Sequence, residues 1–272
     1  VRAGAGAWAT LASGVKLHYR IQGHPGAPWL VLINGLLSDT TMWTGTLSGL
    51  TRDFRVLTFD SRGQGKSDTP AEGPYPVALL AMEAWELLGI LGIERPILAG
   101  LSNGSNIALE MLLDHPGACR GAMLTSSVPR IDFSMALRLK HWLHCLMLGG
   151  AELQFDAVAP FLWGDAFLEQ RYEILKAYHQ TKVKTDEPFD GSRHQIEGAL
   201  QWDIRTRLAG IQDPILLLAG AEDLLTPVWK CAETAKLILH SRFEVIPGIG
   251  HAFPVEDPKA YSARLHRFAQ AL

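Results

Sequence analysis

Positive charge is not in excess in this 272-residue chain: 25 Lys and Arg stand against 28 Asp and Glu, a formal net charge of −3. A surface that compensates a phosphate backbone or holds an anionic bilayer needs the opposite balance, so nucleic acid is not expected as a partner. Cysteine is scarce and odd in number. Cys119, Cys145 and Cys231 are widely spaced and form no Cys-x-x-Cys pair, which argues against a disulfide framework and a zinc cage and leaves buried free thiols as the expectation. No stretch of about eighteen apolar residues occurs, so no transmembrane helix is expected. Val1 to Gly14 lacks the continuous apolar core of a signal peptide, and the expected location is cytoplasmic. Repeats and low-complexity tracts are absent, which leaves loops at strand ends to carry function.

Hydrophobic residues make up 47% of the sequence, enough for one large core with an insertion. Trp8 to Ala12 and Val15 to Ile21, with the turn signal Ser13-Gly14 between them, read as a hairpin. The apolar runs Trp29 to Asn34, Phe54 to Phe59, Pro96 to Leu101, Ala122 to Ser126, Pro214 to Gly220 and Phe243 to Ile246 read as buried strands. Helical patterns over Asp39 to Leu50, Pro76 to Leu91, Asn103 to His115, Pro227 to Leu239 and Asp257 to Leu272 alternate with them. Strands buried on both faces and separated by helices predict an α/β fold with a mostly parallel central sheet. The alternation breaks between Ile131 and Leu208. There Met135, Leu139, Trp142, Leu143 and Leu146 recur at helical spacing, Asp165 to Thr181 predicts a second helix, and Ser192 with Gln195 forms a candidate capping box for a third. The expected organisation is a core over 1–130 and 209–272 with a helical lid insertion over 131–208.

Gly100-Leu101-Ser102-Asn103-Gly104 joins an apolar strand to a periodic helix. A Gly-x-Ser-x-Gly match alone is weak evidence, but a strand-to-helix turn is where a nucleophilic serine is needed. The turn is so tight that a Cβ on either flanking residue would collide, and the helix aims its amides and positive dipole end at a developing oxyanion. A phosphate loop is disfavoured because no Lys-Ser/Thr pair follows the last glycine. Gly63 and Gly65 lack the third glycine of a dinucleotide fingerprint.

A serine hydroxyl needs a base that takes its proton during attack. Of ten histidines, His251 stands in the glycine-rich loop Pro247 to Gly250, after a strand and before the final helix. His18 lies in the hairpin, His115 ends a helix, and His141 and His144 fall on the polar side of a predicted helix. Asp223, after the strand Pro214 to Leu218 and before the helix start Thr226-Pro227, is the preferred third member, with Glu222 and Asp132 as alternatives. Asp60 and Arg62 are read as braces of their own turn.

With Ser102, Asp223 and His251 in that chain order, the sequence resembles the α/β-hydrolase superfamily over nearly its whole length. Leu30 to Gly35 resembles the family's oxyanion strand, Asp60-Ser61-Arg62-Gly63-Gln64-Gly65-Lys66-Ser67 its Asp-x-Arg-Gly-x-Gly-x-Ser loop, and Pro247 to His251 its histidine loop. The resemblance implies an oxyanion hole from the backbone amides of Leu36 and Asn103. Two departures concern subclass: Asn34 replaces the usual histidine, as in enol-lactonase-like members, and Ser105 replaces a frequent glycine.

The expected activity is hydrolysis of a small-molecule carboxylic ester or lactone through an acyl-enzyme, with no metal or organic cofactor. An acyltransferase using the same triad and a low-turnover ligand receptor are the alternatives. A haloalkane dehalogenase would need aspartate at 102. Candidate pocket residues are Asn34, Trp142, Met147, Trp163 and Trp202, with Phe161 as a further lid aromatic. Arg138, Lys140, His141 and His144 are either a carboxylate-binding set or a solvated helix face.

Overall fold

The computed structural model describes residues 6–182 and 189–272. The start of the Val1 to Gly14 segment and part of the insertion therefore lie outside the described residues. An eight-stranded sheet in the order β1-β2-β4-β3-β5-β6-β7-β8 forms the centre. β1 (Ala7–Thr10) and β2 (Lys16–Gln22) make the expected hairpin, and β2 also runs antiparallel to β4 (Arg55–Phe59). β3 (Trp29–Ile33), β5 (Ile97–Leu101), β6 (Gly121–Thr125), β7 (Ile215–Gly220) and β8 (Ser241–Ile246) continue the sheet in parallel, and β3 is parallel to β4.

Period-2 alternation divides the core between the two faces of the sheet. Val31, Ile33, Leu98 and Leu217 pack on one side with residues of α2 (Val77–Ile90) and α3 (Asn103–Asp114). Leu30, Leu32, Ala99, Leu216 and Leu218 pack on the other with Leu50 of α1 (Thr44–Leu50) and Tyr261, Leu265 and Phe268 of α9 (Pro258–Gln270). α7 (Val228–Leu237) joins β7 to β8, and the short α8 (Phe253–Glu256) follows the histidine loop. The sheet has its topological switch point between β3 and β5, because β4 lies on the far side of β3. Loops leaving the carboxyl ends of those two strands face one crevice.

Three helices fill the chain between β6 and β7: α4 (Phe133–Leu162), α5 (Asp165–Lys182) and α6 (Asp190–Ala199). This is the anticipated helical insertion, with three differences in detail. α4 is interrupted by Gly149 (φ −140°, ψ 17°) and Gly150 (φ 63°, ψ −158°), the second in a conformation that glycine adopts freely. It is nevertheless long and apolar enough by length and composition to cross a membrane, contrary to expectation. Met135, Leu139, Trp142, Leu146 and Phe155 are among its residues that pack inward. Ser192 and Gln195 do not cap α6: it starts at Asp190 behind a left-handed Phe189, and the Gln195 amide donates to the Arg62 carbonyl. The pattern over Asp39 to Leu50 resolves into a 3-10 turn, Thr40–Trp43, and α1, with Asp39 accepting from the Thr41 amide at 2.8 Å.

Candidate active site

Ser102 joins β5 to α3 with φ 55° and ψ −120°, a strained conformation for a residue with a side chain. The flanking glycines are there because backbone is too close for anything else. A Cβ at Gly100 would lie 2.5 Å from the Ser105 amide nitrogen, and one at Gly104 would lie 2.2 Å from the Ile33 carbonyl oxygen. The Ser102 amide is held by the Thr125 carbonyl at 2.8 Å. Ser105, the second departure from the family pattern, directs its buried hydroxyl to the same carbonyl at 2.8 Å and so ties α3 to the end of β6.

His251 and Asp223 meet at the neighbouring strand ends. The imidazole Nδ1 lies 2.9 Å from Asp223 Oδ2, and both side chains are buried. Asp223 Oδ1 accepts from the amides of Leu225 (2.9 Å) and Thr226 (2.7 Å), and Oδ2 also accepts from the hydroxyls of Ser126 (2.9 Å) and Thr226 (2.7 Å). Burial by itself would raise the carboxyl's pKa, but the His251 charge and hydrogen bond, with the Thr226 bonds, outweigh it and hold the group below its ordinary value. Glu222, the adjacent alternative, is exposed and accepts from the Asp165 amide at 3.1 Å. Asp132 caps α4 through the Met135 amide at 3.0 Å and pairs with Lys230 at 2.7 Å. Of the three acids, Asp223 is the one brought to His251.

The histidine loop is stitched to the end of α4. The Leu162 carbonyl accepts from the amides of His251 (3.0 Å) and Ala252 (3.2 Å). Glu256 gathers the amides of Gly164 and Gly250, each at 3.0 Å. Glu256 was not singled out from sequence, since neither its spacing nor its neighbours mark it. Ser126 and Thr226 were also missed as partners of Asp223, although their places after β6 and before α7 put both at the same end of the sheet.

Ser102 and His251 open into one cavity of about 160 Å³ between the sheet and the insertion. No hydrogen bond joins Ser102 Oγ to His251 among the described residues, a looseness common in sites without substrate. Leu36 and Asn103 line the cavity beside the serine. Asn103 is the first residue of α3, so its amide belongs to those a helix leaves without an intrahelical acceptor. Leu36 sits in a loop braced at Gly35, whose carbonyl accepts from Gln64 Nε2 (2.7 Å) and Ser38 Oγ (3.0 Å).

Trp142 and Trp163 are in the cavity wall as expected, but three other pocket candidates are not. Asn34 is buried behind the loop, donating to the Phe59 carbonyl and accepting from Trp43 Nε1, each at 2.8 Å. Met147 is 59% exposed near the α4 break. Trp202 packs into the sheet core, with its indole donating to the Val128 carbonyl at 3.0 Å. Arg138 is turned to the Leu224 carbonyl and lies over Phe161, and none of Arg138, Lys140, His141 or His144 reaches the cavity. Asp60 and Arg62 behave as braces: Asp60 accepts from the Thr40 amide and lies against His18 Nδ1, each at 2.8 Å, while Arg62 pairs with buried Glu83.

Comparison with known proteins identifies the family of this doubly wound sheet. Residues 28–258 match the model of the alpha/beta hydrolase fold family, and the chain belongs to that family. A Caulobacter vibrioides protein called "Putative carbamate hydrolase RutD" is 27% identical over 256 residues, covering 93% of this chain and 95% of its own. The protein of the same name from Pseudomonas savastanoi is 29% identical, with 91% and 96% covered. Among solved structures, the enol-lactonase from Burkholderia xenovorans is 26% identical, superposes with a TM-score of 0.86, and is covered over 97% of this chain and 100% of that one.

Proposed function

We propose that this protein is a serine hydrolase that cleaves a carboxylic ester or lactone through an acyl-enzyme. The observation that carries the reading is the convergence of a strained strand-to-helix serine and a buried His251–Asp223 pair on one cavity. Asp223 accepts the Nδ1 proton, which leaves Nε2 of His251 as the base. As Ser102 Oγ attacks the carbonyl carbon, its proton passes to Nε2, and the amides of Leu36 and Asn103 receive the charge that develops on the carbonyl oxygen. Imidazolium then donates the proton to the leaving alkoxide, and in a lactone that group remains tethered to the acyl chain. Water enters, loses its proton to His251, and attacks the acyl carbon to release the acid and restore the serine.

The insertion over 131–208 serves as a lid that supplies most of the acyl pocket and limits water during the first half-reaction. The carbamate hydrolase name of the relatives supports including carbamates in the substrate panel, because they present the same acyl carbon to Ser102. An acyltransferase would use the same first half-reaction, and the nucleophile in the second decides.

Active-site labelling with a fluorophosphonate tests the nucleophile: one adduct on Ser102 is expected in the wild type and none in Ser102→Ala. Product analysis in the presence of a competing alcohol should give mainly free acid. No adduct and no turnover of short esters, lactones or carbamates would overturn the reading, and predominant transfer to the alcohol would reassign it to an acyltransferase.

A further inference from the structure

A second carboxylate is fastened to the loop that carries His251. Glu256 ends α8, and its Oε2 accepts from two amides at 3.0 Å each: that of Gly250, the residue before the histidine, and that of Gly164, the residue after the cavity-wall Trp163. Oε1 accepts from the Gly250 amide as well, at 3.1 Å. The backbones joined in this way are too close for a side chain between them. A Cβ at Gly250 would lie 2.4 Å from the Gly164 nitrogen, and one at Gly220 would lie 2.0 Å from the Gly250 carbonyl oxygen. The histidine loop is thus layered between the end of β7 and the junction of α4 with α5, and Glu256 straps the layers together. Burial raises the Glu256 carboxyl above its ordinary value of 4.5, while the amides of Gly250, Gly164 and Ala252 and the charge of His251 pull it back.

We infer that Glu256 is a positioning residue for His251: it fixes the histidine loop against the end of α4 and lends its negative charge to the imidazolium that forms when Ser102 attacks. This rests on the serine hydrolase reading and adds to the triad a fourth side chain that acts through the base. The amide bonds alone would make Glu256 a brace. Its charge has a further consequence because the His251 and Asp223 side chains are buried, and a charge beside a buried group is screened far less than one in open solvent. Other ionisable groups surround the same seam. Asp223 and Glu222 come from the loop after β7, Asp165 from the start of α5, and Asp39, Tyr178 and His179 line the cavity. Arg264 of α9 lies over the Phe253 ring of α8 at 5.4 Å. The turn Thr40–Trp43 and α1 pack against α8 without an ionisable side chain. All of these groups are shared by the wild type and a variant at position 256, so a difference between the two reports on Glu256.

Glu256→Gln separates charge from geometry, because an amide oxygen at the Oε2 position still accepts from Gly164 and Gly250. The test uses the full chain and two readouts: the pH dependence of kcat/KM with a short 4-nitrophenyl ester, and the pH titration of the His251 ring proton by NMR, assigned with His251→Asn. In Glu256→Gln the acid midpoint of both is expected to move to lower pH by about half a pH unit, because the imidazolium has lost a neighbouring negative charge. The same free energy lowers kcat about threefold and leaves KM within about twofold of the wild type. Glu256→Asp keeps the charge and returns both midpoints toward the wild type, while its shorter reach lowers kcat. A midpoint does not depend on the folded fraction, so partial unfolding of a variant does not imitate the result. Unmoved midpoints in Glu256→Gln, or the same displacement in Glu256→Asp, would leave a brace only and overturn the inference. The NMR titration needs no turnover, which separates the inference from the catalytic reading: if the wild type hydrolyses no ester, the His251 resonance still decides whether Glu256 acts on it.

Discussion

His179 offers a quantitative test of how the insertion is packed. Its ring lies 5.4 Å from that of Phe155, and Nε2 is 3.1 Å from Gln154 Oε1. Burial lowers its pKa from 6.5 to about 4. The folded protein therefore holds the neutral imidazole while the unfolded chain takes up a proton near its ordinary pKa. Stability from this source is complete above that pKa and is lost as the pH falls toward about 4. At 1.36 kcal/mol per pKa unit the loss is about 3 kcal/mol at the low end, with about half of it gone midway. His179→Gln keeps an N–H donor for Gln154 and removes the titration. Urea unfolding of both proteins at about pH 7, 5.5 and 4 gives the difference directly, and carboxylates that titrate in both cancel. The variant should gain on the wild type by about 3 kcal/mol across that interval. A difference that does not change with pH, or a His179 proton resonance that titrates near its ordinary value, would refute the burial argument.

Four further outcomes are expected. Asp223→Asn should leave the fold intact and reduce kcat about 10⁴-fold, because the amide no longer selects the His251 tautomer; retention of a tenth of the activity would reject Asp223 as the triad acid. Ser126→Ala removes a donor to that carboxylate and should cost about 2 kcal/mol in urea unfolding. Since the folded-state pKa of Asp223 lies below its ordinary value of 3.8, this loss should be full above that pH and shrink below it. Gly104→Ala should lower stability by about 2 kcal/mol or more and kcat with it, because a Cβ 2.2 Å from the Ile33 carbonyl forces the serine turn away from β3; an unchanged melting temperature would contradict the geometry. Trp202→Phe should cost about 1 kcal/mol of stability through its bond to Val128 and leave KM unchanged, whereas Trp163→Phe should change KM.

Much of the fold was legible because the strands are buried on both faces and announce themselves as short apolar runs. Ile97–Leu101 and Ile215–Gly220 came within a residue of the expected bounds. The strand-to-helix turn at Ser102 was legible for a local reason, two glycines around one serine between a strand and a helix. The pocket was less so. Trp202 and Met147 share composition with Trp163, and which of the three faces the cavity depends on how α4 is broken and where the chain returns to the sheet, both long-range matters. Asn34 sits one residue beyond β3 and looks poised for the crevice, yet the nearby Phe59 carbonyl and the Trp43 indole take its amide. Gln154 and His179 carried no signal, because a helical glutamine and histidine are ordinarily solvent-facing.

The seam between the histidine loop and the end of α4 bears on how such a protein can be remodelled. Leu162, Gly164 and Asp165 at the helical junction are bonded to His251, Glu256 and Glu222 at the strand ends. Grafting a different insertion from a relative is the natural way to recruit a new substrate on this scaffold, and the chain offers two places to cut. A cut near the Arg130–Asp203 bridge carries this junction out with the transplant, and the incoming segment must bring carbonyls that fit the resident histidine loop. A cut confined to the Gly149–Gly150 break and the far end of α5 leaves the seam in place. Diversification of substrate range should therefore concentrate on the outer part of the insertion, where sequence can change without unseating the loop that carries His251.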